Sequence, residues 1–357
     1  MQLQTWKIWG RAFHFGEHGI GQEASRLTWP SDSLYAAILA RLAALQGGEA
    51  VEAWVGTEDA PKAPPFLLTS TFPYAKDARF FPVPLAALRV SGDLPDGWRS
   101  KDLKKVRFVS EGVYRRLLQG ETLADVADNV IPVHGKTVWV LKSEEVALPV
   151  QKDEQGKKVL PVGERRFWTI EKRPRVAVGR APNNSNLFHV GAVRFADECG
   201  LWFGVQWLTD DAGTQALLTA LLAELGDAGL GAERSSGYGQ AKIEKDALLE
   251  FSAPAGGAWT TLSRYLPAGD EIPALQSNLA AYQMVRLGGW MDGRGLRRRA
   301  ATLLAEGAVL GPLDKPAPWG SAVDLHPHPG ENDDFAEPEH PVWRLGWAVA
   351  VGYGDAQ

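Results

Sequence analysis

Residues 209–246 read TDDAGTQALLTALLAELGDAGLGAERSSGYGQAKIEKD. The first part sets Leu217, Leu218, Leu221, Leu222 and Leu225 at helical spacing, which makes one apolar stripe on an amphipathic helix. Thr209 or an adjacent Asp stands where a side-chain oxygen caps the first free N–H groups. The last part, AKIEKD, has strand character. Between them, residues 229–240 form a glycine-rich loop. Gly229, Gly231, Gly237 and Gly239 surround Arg234, Ser235, Ser236 and Tyr238. Glycine admits positive φ and lets another backbone approach where a Cβ would block it. Such a loop can turn several main-chain N–H groups toward one anion. Arg234 adds a fork for phosphate, and the serines add hydroxyl donors. The same glycines equally suit a tight helix-to-strand connection that binds nothing. The Gly-Lys-Ser/Thr ending of a nucleotide phosphate loop is absent, and so is the third glycine of a dinucleotide fingerprint.

A second helix–strand pattern lies near the N-terminus. Residues 2–15 mix Trp6, Ile8, Trp9, Phe13 and Phe15 with polar partners, as a first strand does. SDSLYAAILARLAAL (31–45) then places Leu34, Tyr35, Ile38, Leu39, Leu42 and Leu45 on one helix face. Ser31 or Asp32 is its expected cap, and Gly47 and Gly48 its stop. Residues 136–172 predict a long hairpin with the polar tip QKDEQG. A turn-forming NNSN near residue 185 predicts a boundary between units 1–185 and 186–357. Strand, helix, strands occurs in each half, which is an α+β pattern: two sheets with helices on one face.

The 357 residues suffice for two domains. A formal net charge of -5 argues against a protein coated in nucleic acid, although a local basic patch is enough for contact on one face, because distant charges are screened. One cysteine, Cys199, excludes an internal disulfide framework and a cysteine-built zinc site. The opening MQLQTWKIWGRAFHF lacks the apolar core of a signal peptide, and no apolar run reaches a membrane span. The expectation is a cytoplasmic chain with no membrane contact, no metal and no cofactor.

Basic groups collect in two places. Arg165, Arg166, Lys172, Arg173, Arg175 and Arg180 alternate with Phe167, Trp168 and Ile170. That mixture suits single-stranded nucleic acid, with cations on phosphates and rings on bases; a solvated strand face over ordinary core aromatics has the same composition. Residues 99–116 carry seven basic and two acidic side chains and share this duality. The run 297–299 has the pattern of a solvated helix face. For catalysis, His14 is the nominee as a general base on a ribose hydroxyl. His326 and His328 near Asp333 and Asp334 imitate a metal site within an acidic stretch, 321–340, that reads as a solvated loop.

These segments together resemble a known family. GLGAERSSGYGQ, between an amphipathic helix and a strand, looks like the glycine-rich loop of the RAMP superfamily of CRISPR proteins. FHFGEHGIGQEASRLTWPSDSLYAAILARL resembles the N-terminus of the subunit-four family of type III-A (Csm) complexes, where a Ser-Asp pair opens the first helix as Ser31-Asp32 does here. RPRVAVGRAPNNSNLFHVGAVRF, YQMVRLGGWM and RLGWAVAVGY also fit that family. The resemblance implies two ferredoxin-like (RRM-like) domains in tandem, with the 136–172 hairpin as a thumb. It implies a non-catalytic subunit that holds the 5′ handle of the crRNA beside the large polymerase-like subunit and the repeated RAMP backbone subunit. His14, Phe15, Ser31, Arg173, Arg175, Arg180, Asn183 and the loop residues Gly229, Gly231, Arg234, Ser235, Ser236, Gly237, Tyr238 and Gly239 are the expected RNA contacts. Glu233 departs from that picture by placing a negative charge beside the phosphate site. A metal-independent crRNA-processing endoribonuclease, the equivalent type III-B subunit and a pure protein scaffold are the alternatives.

Overall fold

A computed structural model describes residues 1–16, 24–89, 98–153, 155–178, 185–289, 297–327 and 340–354. Strand β1 (Gln2–Gly10) buries Leu3, Trp6 and Ile8 and is paired along both edges. Helix α1 (Ser31–Gln46) buries Leu34, Tyr35, Ile38, Leu39 and Leu42, as the spacing predicts. Leu45 is 57% exposed, because the buried stripe ends a turn before Gly47 closes the helix with a φ of 86°. Ser31 and Asp32 do not cap α1. Pro30 holds that position without a side-chain cap, and both side chains are used elsewhere.

Strands β2 (Trp168–Val178) and β3 (Ser185–Phe195) pair over their full length, from Trp168 opposite Phe195 to Val178 opposite Ser185. Strand β4 (Cys199–Trp207) follows and pairs antiparallel with β1. Helix α2 (Ala212–Ala228) is capped by the Asp211 carboxylate, which accepts from the N–H groups of Gly213 and Thr214. Its buried stripe is Leu218, Leu221, Leu222 and Leu225, with Leu217 half-buried. Strand β5 (Ala241–Glu250) returns along the other edge of β1. The main sheet thus runs β5–β1–β4 and continues through Phe72–Ala75, Ala78–Pro82, Phe108–Ser110, Val138–Leu141 and Val130–Val133. The pairing of Phe108–Ser110 with Val138–Leu141 is parallel, so the sheet is mixed. Helices α1 and α2 pack against each other. In the core, Phe81 stacks on Tyr114 with ring centroids 4.6 Å apart and meets Trp202 edge-on at 4.8 Å. Cys199, at the head of β4, is buried, and burial followed by the charges of Glu198 and Asp197 pushes its thiol up to about 12.

Two expectations change here. The long hairpin is β2–β3 and not residues 136–172. Within 136–172, Val138–Leu141 pairs back onto Val130–Val133, and QKDEQG closes only a small excursion held by Lys152 opposite Val159. Pro149 and Pro161 flank that excursion, and proline removes the donors a longer ladder needs. The hydrogen bonding also does not divide the chain at 185/186. That point is the start of β3, and β4 and β5 lie beyond it yet flank β1 in one sheet. Turns and linkers between domains use the same residue types, so NNSN, of which Asn183 and Asn184 lie outside the described residues, does not by itself mark a boundary.

The C-terminal part adds a hairpin of β6 (Met284–Leu287) and β7 (Ala301–Leu304). Strand β8 (Trp343–Leu345) pairs with Ala322–Asp324 and packs on α1. A three-stranded sheet of Val309–Leu310, Trp259–Thr261 and Ala350–Gly352 covers its own core of Trp259, Tyr265 and Trp319. Among the described residues, no helix is long and apolar enough to cross a membrane.

His134 sits where the Val130–Val133 strand meets β2. Its ring stacks on Trp168 at 3.7 Å between centroids, and its Nδ1 accepts the Phe167 N–H at 3.1 Å. Burial, helped by the charge of Arg166, lowers its pKa from 6.5 to about 4. A histidine with a depressed folded pKa loses stability on acidification. The loss begins as pH falls below about 6.5 and is complete near 4. His134→Asn removes the titration and tolerates the local φ of 47°. The variant should show a flatter dependence of Tm on pH across that window, and an unchanged slope would assign the acid sensitivity to another group.

Candidate nucleic-acid interface

All four glycines of the 229–240 loop have positive φ, at 90°, 82°, 83° and 84° in chain order. A Cβ at Gly231 would run into the carbonyl oxygen of His14, and one at Gly239 into that of Leu230. At Gly237 a Cβ would meet nothing within 4 Å. Two of the glycines therefore let the chain pass close to itself. The loop amides follow suit. Leu230 N–H donates to Gly239, Ala232 to His14, Gly239 to Ala12, Ser236 and Tyr238 to Glu233, and Gly237 to Arg234, each to the carbonyl oxygen. The expected cradle of amides turned toward an anion is not built from these groups, since protein carbonyls already occupy them. The loop shows Ala232, Arg234, Ser235, Gly237 and Gln240 to solvent, with Ser236 half-buried.

Tyr238 packs on Ala12, Val190 and Ala192, which seats the loop against the β2–β3 hairpin. Arg175, on β2, lies over the Tyr238 ring at 5.1 Å and donates to the Ser236 carbonyl at 3.3 Å. This contact joins two of the regions the sequence marked.

Other expected contacts are structural. His14 is 3% exposed, and its Nδ1–H donates to the Gly191 carbonyl at 2.8 Å. Phe15 is buried between Phe13 and Trp29, at 5.5 and 5.7 Å between centroids. Ser31 is buried, accepts the Arg264 N–H at 2.9 Å and donates its own N–H to Ser70 Oγ at 2.9 Å. These side chains are turned into the core, which an aromatic–polar alternation cannot distinguish from a surface strand. With His14 buried, the endoribonuclease alternative loses its general base. Arg173 pairs with Glu171 at 3.0 Å. Four of the seven basic residues of the 99–116 run are paired, Arg99 and Lys105 with Asp102, Arg115 with Glu111, and Arg116 with Glu121 beyond the run. Arg180, Asn183, His328, Asp333 and Asp334 lie outside the described residues. Among the described residues, no group of three or more His, Cys, Asp or Glu is placed to hold a metal ion.

The larger feature is a cleft of about 1060 Å³ that the sequence did not point to. Its walls are the first turn of α1, the loop residues Gly231 and Ala232, and the β6–β7 hairpin. Among the described residues, five arginines line it, Arg26, Arg286, Arg297, Arg298 and Arg344, against one carboxylate, Asp32. Trp29, Met284, Val285 and Leu287 supply apolar surface between them. The run 297–299 belongs to no helix. Arg298 N–H bonds the Gly289 carbonyl, its guanidinium bonds Gly288, and the chain then enters β7. A concave site lined by one sign of charge focuses its field on an oppositely charged ligand.

Asp32 anchors the cleft floor. Its Oδ2 faces Arg344 Nε at 3.5 Å and accepts from Ser33 Oγ at 3.3 Å. Its Oδ1 is buried with no hydrogen-bond partner. Burial raises its pKa, against the pull of Arg344 and Arg264. Beside it, Arg264 pairs with Glu306 at 3.0 Å, and Ser70 donates to the same carboxylate.

Residues 255–353 match the family model described as the CRISPR Csm4 C-terminal domain. A protein of Mycobacterium tuberculosis (strain CDC 1551 / Oshkosh), named CRISPR system Cms protein Csm4, is 25% identical over 304 residues, covering 83% of this chain and 84% of that one. The chain is thus similar to Csm4 proteins over most of its length, and its C-terminal part matches their family model. The Csm4 of Thermococcus onnurineus (strain NA1) is 24% identical over 287 residues, 78% of this chain and 81% of its own length. In fold, the chain is similar across 99% of both chains to the crystal structure of a Csm3–Csm4 subcomplex of the type III-A CRISPR-Cas interference complex, with a TM-score of 0.64 and 17% identity. A Csm1–Csm4 cassette in complex with pppApA gives a TM-score of 0.55 at 16% identity, covering 99% of this chain and 98% of that one.

The loop geometry generates a paired test. Gly239→Ala meets both an unfavourable φ and a backbone clash, so its loss of stability should exceed the ~1–2 kcal/mol of the left-handed conformation alone. Gly237→Ala stands in open space and should lose only the conformational part. Chemical denaturation of both variants checks this, and equal losses would show that the Leu230–Gly239 approach is not tight.

Proposed function

We propose that this chain is a structural subunit of a type III-A CRISPR effector complex, acting in the cytoplasm without a catalytic step of its own. It anchors the 5′ handle of the crRNA in the arginine-lined cleft. The observation that carries the reading is the cleft itself: arginines from four separate stretches of chain converge on one concavity that also offers apolar surface. Single-stranded RNA needs that pairing, with guanidiniums for phosphates and apolar or aromatic faces for unstacked bases. The overall acidity of the chain is no obstacle, because the positive groups are gathered on one face.

The similarity to Csm4 proteins supplies the assembly. Solved relatives are described as Csm4 bound to Csm3 and Csm4 bound to Csm1. By analogy this chain docks the repeated RAMP backbone subunit and the large polymerase-like subunit. The β2–β3 hairpin takes the place of the 136–172 segment as the thumb, tied to the loop by Arg175 over Tyr238. Arg234, Ser235 and Ser236 then form the outer rim of the RNA path, and Arg180 and Asn183, outside the described residues, are further RNA contacts on this reading. The C-terminal unit begins near residue 255, where the family model starts.

The test is handle binding by the particle reconstituted with the large and backbone subunits. Arg286→Ala combined with Arg298→Ala should weaken binding and reduce the salt slope by about 1.4, at roughly 0.7 per lost phosphate contact on a single strand. Arg234→Ala alone should reduce it by about half that amount. Unchanged affinity and slope in the double variant would place the RNA outside the cleft.

A further inference from the structure

Given RNA in the cleft, as proposed above, we infer that Asp32 is a specificity-determining residue whose carboxylate accepts a hydrogen bond from a nucleoside donor of one handle nucleotide. Two observations lead there. Among the described residues, Asp32 is the one acid beside five arginines lining the cleft. Its Oδ1 has no hydrogen-bond partner although the side chain is 1% exposed, whereas Oδ2 is held by Arg344 and Ser33. Of the unmatched buried acceptors among the described residues, Asp32 Oδ1 is the one in the cleft wall. The guanidinium and hydroxyl that hold Oδ2 also fix rotation about Cβ–Cγ, so Oδ1 keeps its place in the cleft wall and a donor must reach it there.

A carboxylate repels phosphate, so the backbone of a bound strand lies along Arg286, Arg297 and Arg298, away from Asp32. What faces Asp32 is then the donor side of a nucleoside, either the exocyclic amine of a base or a ribose 2′-OH. Both are slim, neutral donors that reach a recessed acceptor. The charge pattern of the cleft thus sets the register of the strand, and Asp32 rejects any nucleotide that leaves its oxygen unpaired.

The experiment uses the particle assembled with the large and backbone subunits and a single-stranded RNA of the handle sequence. The RNA is made as a series in which one donor is removed at a time: 2′-deoxy at each position, inosine for guanosine, purine riboside for adenosine, and 4-deoxy pyrimidinone for cytidine. Removal of one donor should weaken binding about five- to hundredfold, and Asp32→Asn should abolish that difference. The position identifies the source, a base amine or a ribose hydroxyl. A flat series on the unmodified protein overturns the inference without any variant, and so does a series whose pattern persists in Asp32→Asn. If Arg286→Ala with Arg298→Ala leaves binding untouched, the RNA reading of the cleft falls as well. If that pair weakens binding while the donor series is flat, only the role of Asp32 falls.

Discussion

The first turn of α1 is held to the C-terminal part of the chain by charge and hydrogen bonds in a place almost closed to water. Arg344 reaches Asp32, Arg264 reaches Glu306, and Ser31 and Ser70 bridge between them. The Ser70 N–H adds a bond to the Leu262 carbonyl. Removing one member of such a buried set leaves an uncompensated charge, which in other proteins destabilises by about 3–5 kcal/mol. Everything in the cleft depends on this seam, because one wall hangs from the main sheet and the opposite wall from the C-terminal hairpin. Apolar packing of β8 on α1 brings the two parts together, and the polar contacts decide their register.

The glycine-rich loop illustrates how one composition serves two ends. Its glycines are required, yet at Gly231 and Gly239 they are required by the protein's own backbone. The loop acts as a spacer that closes tightly on His14 and Leu230, so that its outer residues and the neighbouring cleft wall have fixed positions. Electrostatic selection falls to guanidiniums on other elements. On the function proposed above, a frame whose amides at Leu230, Ala232, Ser236, Gly237, Tyr238 and Gly239 are already bonded leaves less to be ordered when a strand binds.

Much of the fold was legible in the sequence. Helical spacing located α1 and α2, Asp211 caps α2, and Gly47 stops α1, because those signals depend on neighbours three or four residues away. The similarity to Csm4 proteins was legible too, from motifs spread along the chain. The hairpin was misplaced because pairing partners are set by distant residues, and the alternation of β2 matches β3 as well as it matches residues 136–150. The boundary near residue 185 failed for the same reason. The cleft was invisible because Arg26, Arg286, Arg298 and Arg344 are far apart in sequence and meet only through tertiary packing. Conversely, His14, Phe15 and Ser31 stand in a motif-bearing segment and proved to be core, since burial is a property of the whole fold.

The sheet also determines how the molecule can be observed. Cys199 is the sole thiol of the chain and lies buried at the head of β4, its proton held up to about 12. Thiolate is the reactive form, so maleimide dyes pass over the native residue at neutral pH. A cysteine introduced at Val176 or Leu187, which face each other across the exposed hairpin, would take a fluorophore alone. The natural sequence is already a clean background for following that hairpin by spectroscopy.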